Sequence, residues 1–213
     1  MKWVIASDIH GSEFYCRRLT EAYEREKADR LLLLGDLLYH GPRNDLPRDY
    51  APKKVIELLN ALKNDILCVR GNCEAEVDQM VLDFPVMADY ALIPLGKRLI
   101  FATHGHLFNK DELPPLKAGD ILLYGHTHVP ICEIIHRAEE NGGSILNESA
   151  EPVQEADPGS GIICMNPGSV SIPKQNSPFS YMTLETAGTD AEQTGLFKWK
   201  TLDGETYRTF EIR

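Results

Sequence analysis

The hydrophobic positions of this 213-residue chain fall in short unbroken runs, and most of them stop at a glycine beside an aspartate, asparagine or histidine. Lys2 to Ala6 enters Asp8-Ile9-His10-Gly11, Leu31 to Leu34 enters Gly35-Asp36, and Ile66 to Val69 enters Arg70-Gly71-Asn72. Four or five apolar residues without alternation suit a strand buried on both faces. Between these runs, Phe14, Leu19, Ala22 and Tyr23 predict a helix over 13–27, and a second is expected at about 53–63. Strand and helix patterns in alternation argue for helices packed over a sheet.

Beyond Asp83-Phe84-Pro85 the pattern becomes strand-rich. Tyr90 to Pro94 and Arg98 to Thr103 predict a pair turning at Leu95-Gly96-Lys97. Ile121 to Tyr124 enters Gly125-His126-Thr127-His128 and Ile131 to His136 leaves it. Leu196 to Ile212 predicts a hairpin, with Asp203-Gly204 as a two-residue turn. Residues 137–161 and 186–194 are polar and read as flexible surface excursions, because strand runs resume after each. One domain over 1–213 is therefore expected.

Composition narrows the function. With 22 basic and 32 acidic side chains the net charge is −10, and no basic run supplies the phosphate neutralisation that long nucleic acids require. No apolar run approaches the ~20 residues that span a bilayer. The start, MKWVIASDIHG, reads as a first core strand and not as a signal peptide, so a cytoplasmic location is expected. The cysteines Cys16, Cys68, Cys73, Cys132 and Cys164 are odd in number and lack CxxC spacing, which suggests neither a disulfide framework nor a structural zinc site. Nothing in the sequence fixes an oligomeric state, and a homo-oligomer is compatible with it.

The chemistry lies in five islands, DIHG, GDLLYHG, GNCE, HGH and GHTH, each at the end of a predicted strand. Taken singly, each has a bland reading as a turn. Together they place Asp8, His10, Asp36, Asn72, His104, His126 and His128 at strand ends, where open sheets with parallel strands bind ligands. Carboxylates, imidazoles and one amide oxygen suit first-row divalent ions, and a bridging carboxylate suits two of them. In an extended backbone the two-residue spacing of Asp8 and His10 would aim both side chains the same way.

This ordered set resembles the calcineurin-like metallophosphoesterase superfamily. The runs HGPRNDLPRDYAPKKV, VRGNCEAEVDQM, THGHLF, YGHTHVP and NPGSVSIPK more narrowly resemble the YfcE-like bacterial phosphodiesterases. The resemblance implies an α/β fold, a two-sheet β-sandwich flanked by helices in four layers, α/β/β/α. It implies Asp8, His10 and His128 on one ion, Asn72, His104 and His126 on a second, and Asp36 bridging. Manganese is the expected metal, with iron, zinc or nickel acceptable to the same ligands. The implied reaction is hydrolysis of a small phosphodiester by a hydroxide held between the ions.

Where many members continue Gly-Asn with a histidine, this chain has Cys73, a poor proton donor to an alkoxide unless its site perturbs it. His40 stands where related phosphatases carry a phosphate-binding arginine, so contact with substrate is expected of it. His106 and Arg43 are further candidates, for leaving-group protonation and phosphate contact. The connection at 137–161 is longer than the subgroup leads one to expect. A competing reading follows from the same small fold, which also resembles the metallophosphoesterase-like subunit of the eukaryotic retromer coat, a protein-binding scaffold.

Overall fold

The computed structural model describes residues 1–139, 145–152, 159–189 and 192–212. Two six-stranded sheets lie face to face. The first contains β1 (Lys2–Ala6), β2 (Arg30–Leu33) and β3 (Ile66–Cys68), extended by β10 (Ser180–Ala187), β11 (Thr194–Thr201) and β12 (Thr206–Ile212) in the order β12-β11-β10-β1-β2-β3. The second runs β4-β5-β6-β9-β7-β8, from β4 (Tyr90–Leu95), β5 (Arg98–Thr103), β6 (Ile121–Leu123), β7 (Ile131–Glu139), β8 (Ile145–Pro152) and β9 (Ile162–Asn166). Strands β1, β2 and β3 are mutually parallel, as are β5, β6 and β9.

The burial of the apolar runs explains this arrangement. Ile5, Leu32 and Leu34 from the first sheet meet Ile100, Leu123 and Met165 from the second in a core between the sheets. Trp199 is fully buried there, and its indole N–H donates to the Asn166 carbonyl at 2.7 Å, linking β11 to the end of β9. Val4, Leu31 and Leu33 face the other way, into a second core under α1 (Glu13–Glu26) and α2 (Pro52–Asn60). Helix α1 begins at Ser12, whose hydroxyl accepts from the Tyr15 N–H, and buries Cys16, Leu19, Ala22 and Tyr23 at helical spacing. It ends at Lys27, in a left-handed conformation at φ 50°. A short α3 (Glu76–Gln79) follows the third island.

The α/β sandwich expected from the sequence is present, with one difference in its layers. No helix covers the outer face of the second sheet among the described residues. Phe108, Leu113 and Leu116, from an irregular connection between β5 and β6, pack there on Phe101, Leu122 and Tyr124. The expected excursion at 137–161 is also more regular than its polarity suggests. Its described backbone extends β7 to Glu139 and forms β8, paired antiparallel with β7. Charge and proline content hid an edge strand that pairs with β7 as the second arm of a hairpin. The hairpin at 196–212 forms, but four residues separate its strands where a two-residue turn was expected, with a register shift at Trp199/Lys200. No helix among the described residues is long and apolar enough to cross a membrane.

Candidate metal centre

Asp8, Asp36, Asn72, His104 and the His126/His128 pair follow β1, β2, β3, β5 and β6, all members of parallel ladders. The five loops therefore converge at one end of the sandwich, and the seven residues named from the sequence are brought together there. The backbone does not aim them by strand geometry. Asp8, His10, Asp36, His126 and His128 all have φ between 50° and 63°, a left-handed region costly to non-glycine residues by about 1–3 kcal/mol each. Asp8 and His10 are therefore not aimed by an extended backbone, as their spacing led us to expect. Left-handed turns place both side chains on the centre while Ile9 between them is fully buried.

Neighbouring loops hold these turns in place. The backbone N–H groups of Asp8, His10 and Gly11 donate to the carbonyls of Gly35, Asp36 and Leu37 at 3.1, 2.9 and 2.8 Å. Ser169 and Ser171 donate their hydroxyls to the Asp8 carbonyl at 3.0 and 2.9 Å. The Asn166 amide donates to the Gly125 carbonyl at 2.6 Å. Glu74 accepts the N–H groups of Asp36, Leu37 and Gly71 at 2.8, 2.7 and 2.5 Å. Burial, followed by the nearby Asp36 carboxylate, raises the Glu74 pKa. Gly71 has no room for a side chain, since a Cβ there would lie 2.7 Å from Glu74 Oε2 and 2.6 Å from Asp36 N.

The imidazoles show what the site lacks. Nδ1 of His10, His104 and His128 faces the carbonyls of Tyr39, Leu34 and Ile172 at 2.8, 2.6 and 2.6 Å. A carbonyl only accepts, so each Nδ1 carries a hydrogen and each ring points its Nε2 into the centre. His10 Nε2 and His128 Nε2 then face each other at 3.3 Å, and His104 Nε2 faces His126 Nδ1 at 3.2 Å and Asn72 Oδ1 at 3.1 Å. Asp8 Oδ1, fully buried, has no hydrogen-bond partner and lies 3.5 and 3.3 Å from Nε2 of His10 and His128. Asp36 reaches both groups, with Oδ2 3.7 Å from His10 Nε2 and Oδ1 3.4 Å from His104 Nε2.

Protonation follows this geometry. Burial alone would raise the Asp8 carboxyl, but the imidazoles of His10 and His128 hold it well below the usual range. Burial disfavours charge on His10, and Asp8 overrides it, so the His10 pKa rises. His126 is pushed down to about 4 by burial and by His104 beside it, leaving a free lone pair at neutral pH. Donor atoms of Asp8, His10 and His128, and of Asp8, Asp36 and His104, each lie within 4.8 Å of one another. Such converging acceptors fit cations: bound metal would relieve the facing lone pairs and complete Asp8 Oδ1.

The second-tier residues divide. Arg43 and Cys73 line a cleft of about 490 Å³ that opens onto His10, Asp36, Asn72, His126 and His128. His40 and His106 are not among its lining residues. The His40 ring packs edge-on against Tyr39 and Tyr50, and His106 lies 5.4 Å from the His104 ring. Both have a buried Nδ1 without a hydrogen-bond partner. Burial and then His104 lower the His106 pKa. Cys73 Sγ accepts from the Asn72 amide at 3.3 Å, and burial followed by Asp36 drives its thiol pKa far up. Glu74, Ser171 and Lys174 were missed as contributors. Glu74 stood in the third island without a role, and the others gave no ligand signal.

A family model described as the calcineurin-like phosphoesterase superfamily domain matches residues 1–189. The chain belongs to that superfamily. Membership makes it an enzyme of phosphoric ester hydrolysis in a family that works with divalent metal ions. Among its relatives, phosphodiesterase YfcE of Escherichia coli K12 is 45% identical over 185 residues, covering 87% of this chain and 88% of that protein. The probable metallophosphoesterase YsnB of Bacillus subtilis is 24% identical over 198 residues, covering 87% and 85%. A solved structure of the E. coli phosphoesterase YfcE superposes with a TM-score of 0.80 at 40% identity, covering 100% of both chains.

Proposed function

We propose that this phosphoesterase hydrolyses small phosphodiesters at a dinuclear centre, with Asp8, His10 and His128 on one ion, Asn72, His104 and His126 on the other, and Asp36 between them. One observation carries the reading: three buried imidazoles are fixed by backbone carbonyls, His10 and His128 turn their Nε2 atoms toward each other and toward Asp8, and His104 turns its Nε2 toward His126 and Asp36. Two bound divalent ions would supply a water nucleophile activated near neutral pH and neutralise charge on the phosphoryl oxygens. Manganese is the proposed working metal and the cytoplasm the proposed location.

The chain's own residues do the rest. Asp8 keeps its charge despite burial, Asp8 and Asp36 would hold the ions in place, and Arg43 meets the substrate phosphate at the cleft wall. The Cys73 thiol stays protonated and too weakly acidic to protonate a departing alkoxide efficiently. His106, half-buried beside His104, outside the cleft lining and with its pKa lowered, is poorly placed as a substitute donor, and His40 supports the loop whose Tyr39 carbonyl holds His10. The diester preference rests on the similarity to phosphodiesterase YfcE.

The deciding measurement is hydrolysis of bis(p-nitrophenyl) phosphate by manganese-loaded protein, beside Asp36→Asn and His104→Ala. Each substitution should lower kcat/KM by about 10²-fold or more, as expected when a metal ligand is lost. Activity indifferent to both would favour the scaffold reading. Across aryl and alkyl diesters, the rate should fall as the leaving group becomes more basic. A flat profile with chemistry limiting would show an efficient general acid and overturn the role given to Cys73.

A further inference from the structure

We propose that Lys174, together with Arg43, selects phosphodiesters whose alcohol portion carries a further phosphate group. This rests on the proposed phosphodiesterase reading and goes beyond it. Both side chains line the same cleft as the ligands, and both are exposed in a chain of net charge −10. No ion pair is formed by either among the described residues. Asp36 is the one carboxylate among the residues lining the cleft. Once Asp36 is committed to the metals, no side chain of the lining balances the two cations.

Their placement is built into the fold. The Lys174 N–H donates to the carbonyl of His128 at 3.2 Å, and the Ser177 hydroxyl closes the turn onto the Lys174 carbonyl at 2.6 Å. Gln175 and Asn176 inside that turn have φ of 55° and 56°, so two consecutive left-handed residues hold Lys174 at the His128 edge. On the other side, Asn44 bonds back to the carbonyls of His40 and Gly41 at 2.8 and 3.4 Å, and a Cβ on Gly41 would lie 3.6 Å from Cys73 Sγ. Arg43 therefore stands at the Cys73 edge. A cation at each edge reaches beyond the scissile phosphate, and about 490 Å³ is room for a nucleotide-sized ester. Arg and Lys pair with phosphate through charge-assisted hydrogen bonds, and their loss is felt most by the substrate that carries the charge.

The test compares the 5′-p-nitrophenyl ester of thymidine 5′-phosphate with the same ester bearing a 3′-phosphate. Wild-type protein should prefer the second by about tenfold in kcat/KM. Lys174→Ala should remove most of that preference through KM, changing the simple ester less than about threefold, and Lys174→Arg should restore it, while Arg43→Ala should lower kcat/KM on both esters and more on the phosphorylated one. Equal use of the two esters, or equal loss on both in Lys174→Ala, would overturn the proposal. Calorimetric binding of thymidine 3′,5′-bisphosphate gives a readout independent of turnover. Should neither ester be hydrolysed, binding that weakens about tenfold in Lys174→Ala still upholds the cation pair while the phosphodiesterase reading fails. Binding unchanged in Lys174→Ala overturns the pair.

Discussion

Glu74 shows how one side chain organises a centre it does not enter. Its carboxylate takes three backbone N–H groups, from the second and third islands, and so fixes Asp36 against Asn72. Glu74→Ala leaves those donors buried without acceptors, which should cost about 3–5 kcal/mol. Glu74→Gln keeps the shape but offers a single acceptor oxygen and should fall between. Thermal unfolding with metal stoichiometry measured by mass spectrometry checks this: Glu74→Ala should melt lower and bind less metal, and unchanged stoichiometry would deny Glu74 its organising role. The residue types of the islands were legible in the sequence because a donor atom belongs to its side chain wherever it sits. The left-handed backbone of Asp8, His10, Asp36, His126 and His128 was not, since non-glycine residues reach it only when neighbouring loops hold them there.

At the scale of elements, the C-terminal end of α1 is tied to the first sheet through Glu26. Its carboxylate meets Lys2 at 2.7 Å, the Tyr181 hydroxyl at 2.8 Å, and Lys200. Burial works against the charge, but Lys2, Lys200 and Tyr181 outweigh it and bring the pKa down to about 2. Because the folded value lies below the unfolded one, the protein binds fewer protons than the unfolded chain between them. The stabilisation is therefore present above about pH 4.5 and lost as pH falls toward 2, on the order of 1–2 kcal/mol after solvent screening. Glu26→Gln should lower stability at pH 7 and flatten its decline in acid, as read by urea midpoints across pH. An identical pH dependence in the variant would remove this ion pair from the account. The elements themselves were mostly visible in the apolar runs, including α1, β1 to β3 and the β4–β5 pair. Strand β8 was not, because an edge strand carries a polar sequence without an apolar run, although its partner β7 lies next to it in the chain.

Across the whole molecule, the metal site depends on two sheets staying in register with each other. Trp199 links them, filling the core between the sheets and donating to the Asn166 carbonyl, one residue before the turn that supports Asp8. Trp199→Phe removes that bond and leaves a small void, for about 2–4 kcal/mol. At this chain length each kcal/mol lowers Tm by about 2–4 °C. Scanning calorimetry should show one transition moved down as a unit; two separated transitions would mean that the sheets unfold independently. The sequence by itself determined the ligand chemistry, the strand-end placement of the islands and the superfamily, because these reside in residue types, short apolar runs and their order. Only the tertiary structure decided that Asp8, His10, Asp36, His126 and His128 sit on left-handed backbone, that an irregular segment replaces a helix over the second sheet, and that Lys174 stands at the cleft. Each of these depends on which distant loops meet, and that is set by ladder bonds and core packing between sheets, not by any local pattern along the chain.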